Sequence, residues 1–140
     1  MMDLNGTISN LINIRYQAKN AHWNCSGMLF YEFHLLFDRI YDEYDDLIDR
    51  LAERLRGQGG RVSGTLLQAL EVSSLSDQPI LDSALELARD LLQKLETLKV
   101  SNLSNIDLAN SENDQTTLNI LCEVQEKIDS HIYLIKSSLR

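Results

Sequence analysis

Little in this chain breaks a helix: one proline and six glycines are spread over 140 residues. Cysteine is scarce too. Cys25 and Cys122 are too few for a disulfide framework; they fit a reducing compartment and read as small packing residues. No apolar run approaches the length of a membrane-spanning helix, which excludes that class. The opening MMDLNGTISN has neither a basic stretch nor an apolar core, so it does not read as a secretory signal and the expected location is cytoplasmic. Positive charge is in deficit, with 13 bases against 21 acids and a formal charge of −8. That balance repels phosphate backbones and favours cations, metal ions among them.

What is present is apolar periodicity. Apolar residues make up 44% of the chain, enough for one domain over residues 1–140 with a real core. Leu4, Ile8, Leu11 and Ile12 repeat at helical spacing, and Ala18 and Ala21 carry the run to a helix end near Asn24 to Gly27, with Asp3 as its expected cap. A second helix is predicted from about Tyr31, with Phe37, Ile40, Tyr44, Leu47, Leu51 and Leu55 on one stripe, to Gly57 or the Gly59-Gly60 pair. A short helix over Leu66 to Leu70 sits in a connection that must cross the molecule. Asp77 as cap and Pro79 in the first turn predict a third long helix, with Ile80 and Leu81 opening its stripe and an extension through Leu103 and Ile106. Asn110 to Asp114 read as the last turn, and Leu118 to Leu139 as the fourth helix. Two helices, a crossing connection and two more helices predict an all-α, ferritin-like four-helix bundle with a short helix in the crossover.

The chemistry concentrates between Lys19 and Gly60. This stretch holds two of the three histidines, His22 and His34, and a ladder of acids: Asp38, Asp42, Asp45, Asp46, Asp49 and Glu53. The ladder is either a solvated face or a metal site. On a wheel of about 100° per residue with His34 at zero, five of these acids fall within roughly 20–100°, while the apolar stripe lies at roughly 220–320°. The acids and His34 therefore point away from the bundle's own core. No Glu-x-x-His motif ends at any histidine, so a ferritin-type di-iron site inside one bundle is excluded. Metal on the ladder would be closed by another subunit or left to water. His34 and Asp38 are four apart and can converge on one ion, and imidazole with carboxylates suits Fe(II) and also Zn(II).

The stretch resembles the signature of the Dps family, the small dodecameric ferritins. The elements that carry the resemblance are His22-Trp23-Asn24, then His34-Leu35-Leu36-Phe37-Asp38 twelve residues after His22, then Asp49-Arg50-Leu51-Ala52-Glu53. "ERLRGQGG" and the last helix follow more loosely. The resemblance implies a di-iron ferroxidase centre shared across a twofold axis, with His22, His34 and Asp38 from one chain and Asp49 and Glu53 from its partner. It implies oxidation of Fe(II) by hydrogen peroxide or oxygen, storage of ferric mineral in a dodecameric shell and protection against oxidative stress. Trp23 is then a candidate electron donor or simply a packing residue. Asp42, Asp45 and Asp46 either nucleate mineral or solvate their helix. Asp107, Glu112 and Asp114 are candidates for the carboxylate-lined pore that admits iron. His131, with no acid four residues away, reads as structural.

Three other readings stand beside this one: a shell whose site holds structural or competing zinc, a nucleoid-binding protein without turnover, and an unrelated helical bundle. Many Dps proteins bind DNA through a lysine-rich tail, whereas here the first base is Arg15 and Arg140 directly follows the last helix. Twelve such chains would together carry roughly −96 before bound ions are counted. Tight DNA binding is therefore not expected: at physiological salt, without added divalent metal, an electrophoretic assay should show no shift of duplex DNA. A shift that survives those conditions would contradict the charge argument.

Overall fold

The computed structural model describes residue 2 and residues 4–140. Six helices follow one another: α1 (Leu4–Asn24), α2 (Phe30–Glu43), α3 (Asp45–Gly57), α4 (Leu66–Val72), α5 (Ala84–Ser111) and α6 (Gln115–Leu139). Helices α2 and α3 together form the second long rod, so α1, α2–α3, α5 and α6 are the four members of a ferritin-like bundle. The short α4 lies in the crossover and packs on α1. Among the described residues there is no strand, only a single bridge between Ser26 and Ser83. The expected cap Asp3 lies outside the described residues.

The predicted stripes form the core. Leu4, Ile8, Leu11, Ala18 and Ala21 of α1 are buried against Phe37, Ile40, Tyr44, Leu47 and Leu51, and against Leu91, Leu95, Ile128 and Ile135 from the second half. Burial of this continuous apolar seam is the main favourable contribution to folding. The seam leaves the opposite faces of α2 and α3 to solvent, as the wheel requires.

Three boundaries differ from those read in the sequence. The second rod is not one unbroken helix: it is interrupted by a turn at Tyr44, whose φ of −88° and ψ of −12° stay at the edge of the right-handed helical region. Tyr44 is fully buried, and its hydroxyl lies 3.0 Å from His131 Nδ1 on α6. The third long helix starts at Ala84, not near Asp77, and Ile80 is wholly exposed. The reason is where the carbonyls point. Asp82 O accepts from Ser26 N at 2.8 Å instead of serving a helix, and the Ser83 side chain accepts from Glu86 N as the true cap. Upstream, α1 holds the crossover extended: Asn10 bonds Ser73 and Ser74, Asn13 donates to Leu75 O, and Gln17 donates to Ser76 O. Buried Lys94 adds a bond to Asp77 O while pairing with Asp90 at 2.7 Å. The short helix runs two residues further than expected, to Val72, and opens with a Thr65–Gln68 capping box.

His131 is completely buried, and its Nε2 has no hydrogen-bond partner among the described residues. Burial pushes its pKa down to about 4, against the opposing pull of Glu43, whose Oε1 lies 3.6 Å away. Glu43 is partly buried as well, yet its hydrogen bonds with Arg39 and Lys127 outweigh that cost and hold its pKa at about 2. The signs agree. The unfolded chain takes up a proton on histidine near pH 6.5 that the fold refuses until about pH 4, so stability falls as the pH drops across that window. Glu43 adds stability that is full above pH 4.5 and lost towards pH 2. Thermal unfolding followed against pH should show a loss on the order of 2–3 kcal/mol between pH 6.5 and 4. His131→Gln should flatten that window; an unchanged slope in the variant would contradict the assignment.

Candidate metal centre

The turn between α1 and α2 sets the centre. Gly27 at φ 87° and Leu29 at φ 60° reverse the chain tightly, and only glycine takes such a conformation at little cost. The start of α5 clamps this turn, since Ala84 N donates to Ser26 O at 2.9 Å. The last turn of α1 and the first turns of α2 are thereby laid side by side.

His22 and His34 meet across this contact. Their rings stack with centroids 3.9 Å apart and 14° between planes. Each ring is tied to the other residue's backbone: His22 Nδ1 donates to His34 O at 2.7 Å, and His34 Nδ1 donates to His22 O at 2.8 Å. A carbonyl oxygen can only accept, so both Nδ1 atoms carry the proton. In the neutral rings both Nε2 atoms therefore carry lone pairs, the form a metal ion needs. Phe30 stacks on the outer side of His34 at 5.0 Å.

Asp38 lies one turn beyond His34 and is half-buried. Its Oδ1 accepts from Lys19 Nζ at 2.6 Å, and this bond holds the carboxyl below its usual range despite partial desolvation. Lys19 also sits 4.9 Å from the centre of the Tyr41 ring. The sequence reading missed Lys19. Its signal was present: it lies three residues before His22, on the same side of α1.

Asp49 and Glu53 are exposed on α3 and do not join this group. They lie 11 and 15 residues beyond Asp38, a separation of roughly 16 and 22 Å along the rod at 1.5 Å per residue. Among the described residues of one chain, no group of three or more histidine, cysteine or acidic side chains is close enough together to hold a metal ion.

The remaining candidates divide by environment. Trp23 is 66% exposed beside His22, which leaves it without a core-packing role in the single chain. Met28, Phe30 and Tyr31, in the turn that follows and the start of α2, are exposed as well. Asp45 pairs with Arg15 at 3.2 Å. Asp42 and Asp46 line a surface recess of about 410 Å3 with Glu123 and Glu126, alongside Arg50 and Lys127. Asp107 is exposed on α5, and Glu112 is the residue that closes that helix. Asp114 has local work: it caps α6 by accepting from Thr117 N at 3.1 Å, and it binds Arg54 at 2.9 Å and Gln58 at 2.9 Å. These bonds hold its carboxyl below the ordinary range, the Thr117 hydroxyl contributing most.

With this geometry in hand, comparison with known proteins is specific. The family described as the ferritin-like domain matches residues 2–140. The DNA protection during starvation protein of Listeria innocua is 31% identical over 138 residues, covering 97% of this chain and 88% of its own. The crystal structure of Dps from Staphylococcus aureus is similar with a TM-score of 0.92 at 28% identity, over 98% of this chain and 92% of that one. A structure of Dps from Listeria innocua soaked with cobalt is similar with a TM-score of 0.90 at 31% identity, over 97% and 88% of the two chains.

Proposed function

The chain belongs to the Dps family of ferritin-like proteins, and from that premise we propose that it is a ferroxidase and iron-storage protein whose di-iron site is shared between two subunits. The observation that carries the reading is the divided ligand set. Two prepared imidazoles and Asp38 stand at one end of a rod, two exposed carboxylates stand roughly 16 Å or more along it, and no single chain can bring them to one ion. A second copy related by a twofold axis reverses the rod and sets Asp49 and Glu53 of one chain against His22, His34 and Asp38 of the other. Exposed Trp23, Met28, Phe30 and Tyr31, close in sequence to His22 and His34, support this contact, since these apolar side chains lack cover in the single chain.

In this reading iron is the substrate. Lone pairs on the two Nε2 atoms and the carboxylates of Asp38, Asp49 and Glu53 would bind Fe(II), Glu53 being the candidate to serve both ions. Two Fe(II) ions supply the two electrons that reduce one hydrogen peroxide to water-level oxygen, so no one-electron step releases hydroxyl radical. With two further waters, the ferric product settles as two FeOOH units and four protons leave. Oxygen is the alternative oxidant. Mineral would collect inside a cytoplasmic dodecamer of about 190 kDa, where Asp42 and Asp46 offer carboxylates for nucleation; Trp23 is the nearest candidate to supply an electron when iron runs short. Asp107 is a stronger candidate for an iron-admitting pore than Asp114, whose oxygens already serve the α6 cap and Arg54, and Glu112 stands beside it at the end of α5.

Fe(II) loaded anaerobically onto the metal-free protein, then treated with stoichiometric peroxide, should give about two Fe(II) oxidised per peroxide, far faster than in buffer. The His22→Ala/His34→Ala variant should lose at least about 10-fold of that rate with its assembled mass unchanged. No acceleration by the assembled wild-type shell would contradict the ferroxidase reading and favour a structural or zinc-occupied site.

A further inference from the structure

The Lys19–Asp38 pair poses a question that the family assignment leaves open. A carboxylate assigned to iron is already occupied, at 2.6 Å, by a cation of the same chain. The ammonium is not a buried structural charge, because the Lys19 side chain is 24% and the Asp38 side chain 37% exposed. Nor does it serve as a helix cap: Lys19 lies mid-helix, more than a turn before the end of α1. Its reach decides what it can do. Lys19 Nζ also lies 4.9 Å from the centre of the Tyr41 ring, and the Asp42 carboxylate acts on it electrostatically. In this same position the ammonium faces the Tyr41 ring, which Arg15 also covers at 4.0 Å, so release from Asp38 takes it outward towards solvent and the exposed Asp42, within the swing of its four-carbon stem.

We propose that Lys19 is a displaceable placeholder for metal at Asp38: its ammonium neutralises the carboxylate while the site is empty and moves aside when a divalent ion binds. This rests on the site assignment above. In an interface between two chains, an unpaired carboxylate is costly to desolvate, so an internal cation keeps the empty half-site neutral during assembly. The same cation must be expelled for metal to bind, because a divalent ion and an ammonium cannot share one carboxylate without strong repulsion. Cation replaces cation, and the lysine stays protonated throughout. Lys19 therefore weakens metal binding at Asp38, and an ion that also gains two imidazole bonds, as a transition metal does, is best able to displace it.

The test is binding of Co(II) to the assembled, metal-free protein, read by calorimetry and by the visible absorbance of histidine-bound cobalt, with no oxidation involved. Lys19→Met, which keeps an apolar stem against Tyr41, should bind Co(II) roughly three- to tenfold more tightly than wild type, with Lys19→Gln as a second neutral variant. Lys19→Arg should bind as wild type does. In an Asp38→Asn background, Lys19→Met should change little, because the contested carboxylate is gone. Unchanged or weaker binding in both neutral variants, with cobalt still lost in His22→Ala/His34→Ala, overturns the placeholder role alone and makes Lys19 a support for Asp38. Cobalt binding that the double histidine variant leaves untouched overturns the site assignment and this inference together.

Discussion

Two stacked imidazoles, each bonded through Nδ1 to the other residue's backbone carbonyl, set the register of α1 against α2. Almost everything at the candidate centre follows from that clasp. It presents both Nε2 atoms as lone pairs, and it brings Lys19 of α1 within reach of Asp38 of α2. Sliding the helices by one residue would break both bonds at once and take Lys19 off its partner. The clasp relies in turn on a turn with two positive φ angles, held from outside by the Ser26 bonds to Asp82 and Ala84. A chain that caps its third long helix with Ser83 rather than with Asp77 thus uses the residues before that helix to back the candidate centre.

Much of the architecture was legible in the sequence because bundle helices advertise themselves by spacing. The stripes Leu4–Ala21 and Phe37–Leu55 are buried as their periodicity requires, and α5 does run through Leu103 and Ile106 to Ser111. Local signals failed where tertiary bonds compete with them. Asp77 and Pro79 form a plausible helix start, but Asp77 O is taken by Lys94 and Asp82 O by Ser26, so the helix has to wait for Ser83. The break at Tyr44 was invisible for the same reason: the tyrosine continues the apolar stripe, and only its approach to His131 across the bundle distinguishes it.

The centre was legible in part, and the limit is physical. A helical wheel says which way a side chain points, and it correctly sent the acids outward; it says nothing about which cation meets them. Arg15 on Asp45 and Lys19 on Asp38 come from another helix, and their pairing depends on the α1–α2 register. The ladder consequently is neither a plain solvated face nor a bare cation trap. It is partly neutralised by its neighbour, most closely at the acid nearest the histidines. Asp114 shows the opposite case, an acid in a suggestive place whose oxygens are committed to a helix cap and an arginine.

The central claim is that one functional site needs two chains, each supplying what the other lacks. Complementation tests it most directly. His22→Ala/His34→Ala chains and Asp49→Asn/Glu53→Gln chains, each inactive alone, are unfolded together and co-assembled in equal amounts, with mixed shells verified by mass. Random twofold pairing restores both halves at about a quarter of the sites, so ferroxidase activity should return to about a quarter of wild type. Mixed shells that stay as inactive as either parent would contradict the shared site and place all five ligands' work within a single chain.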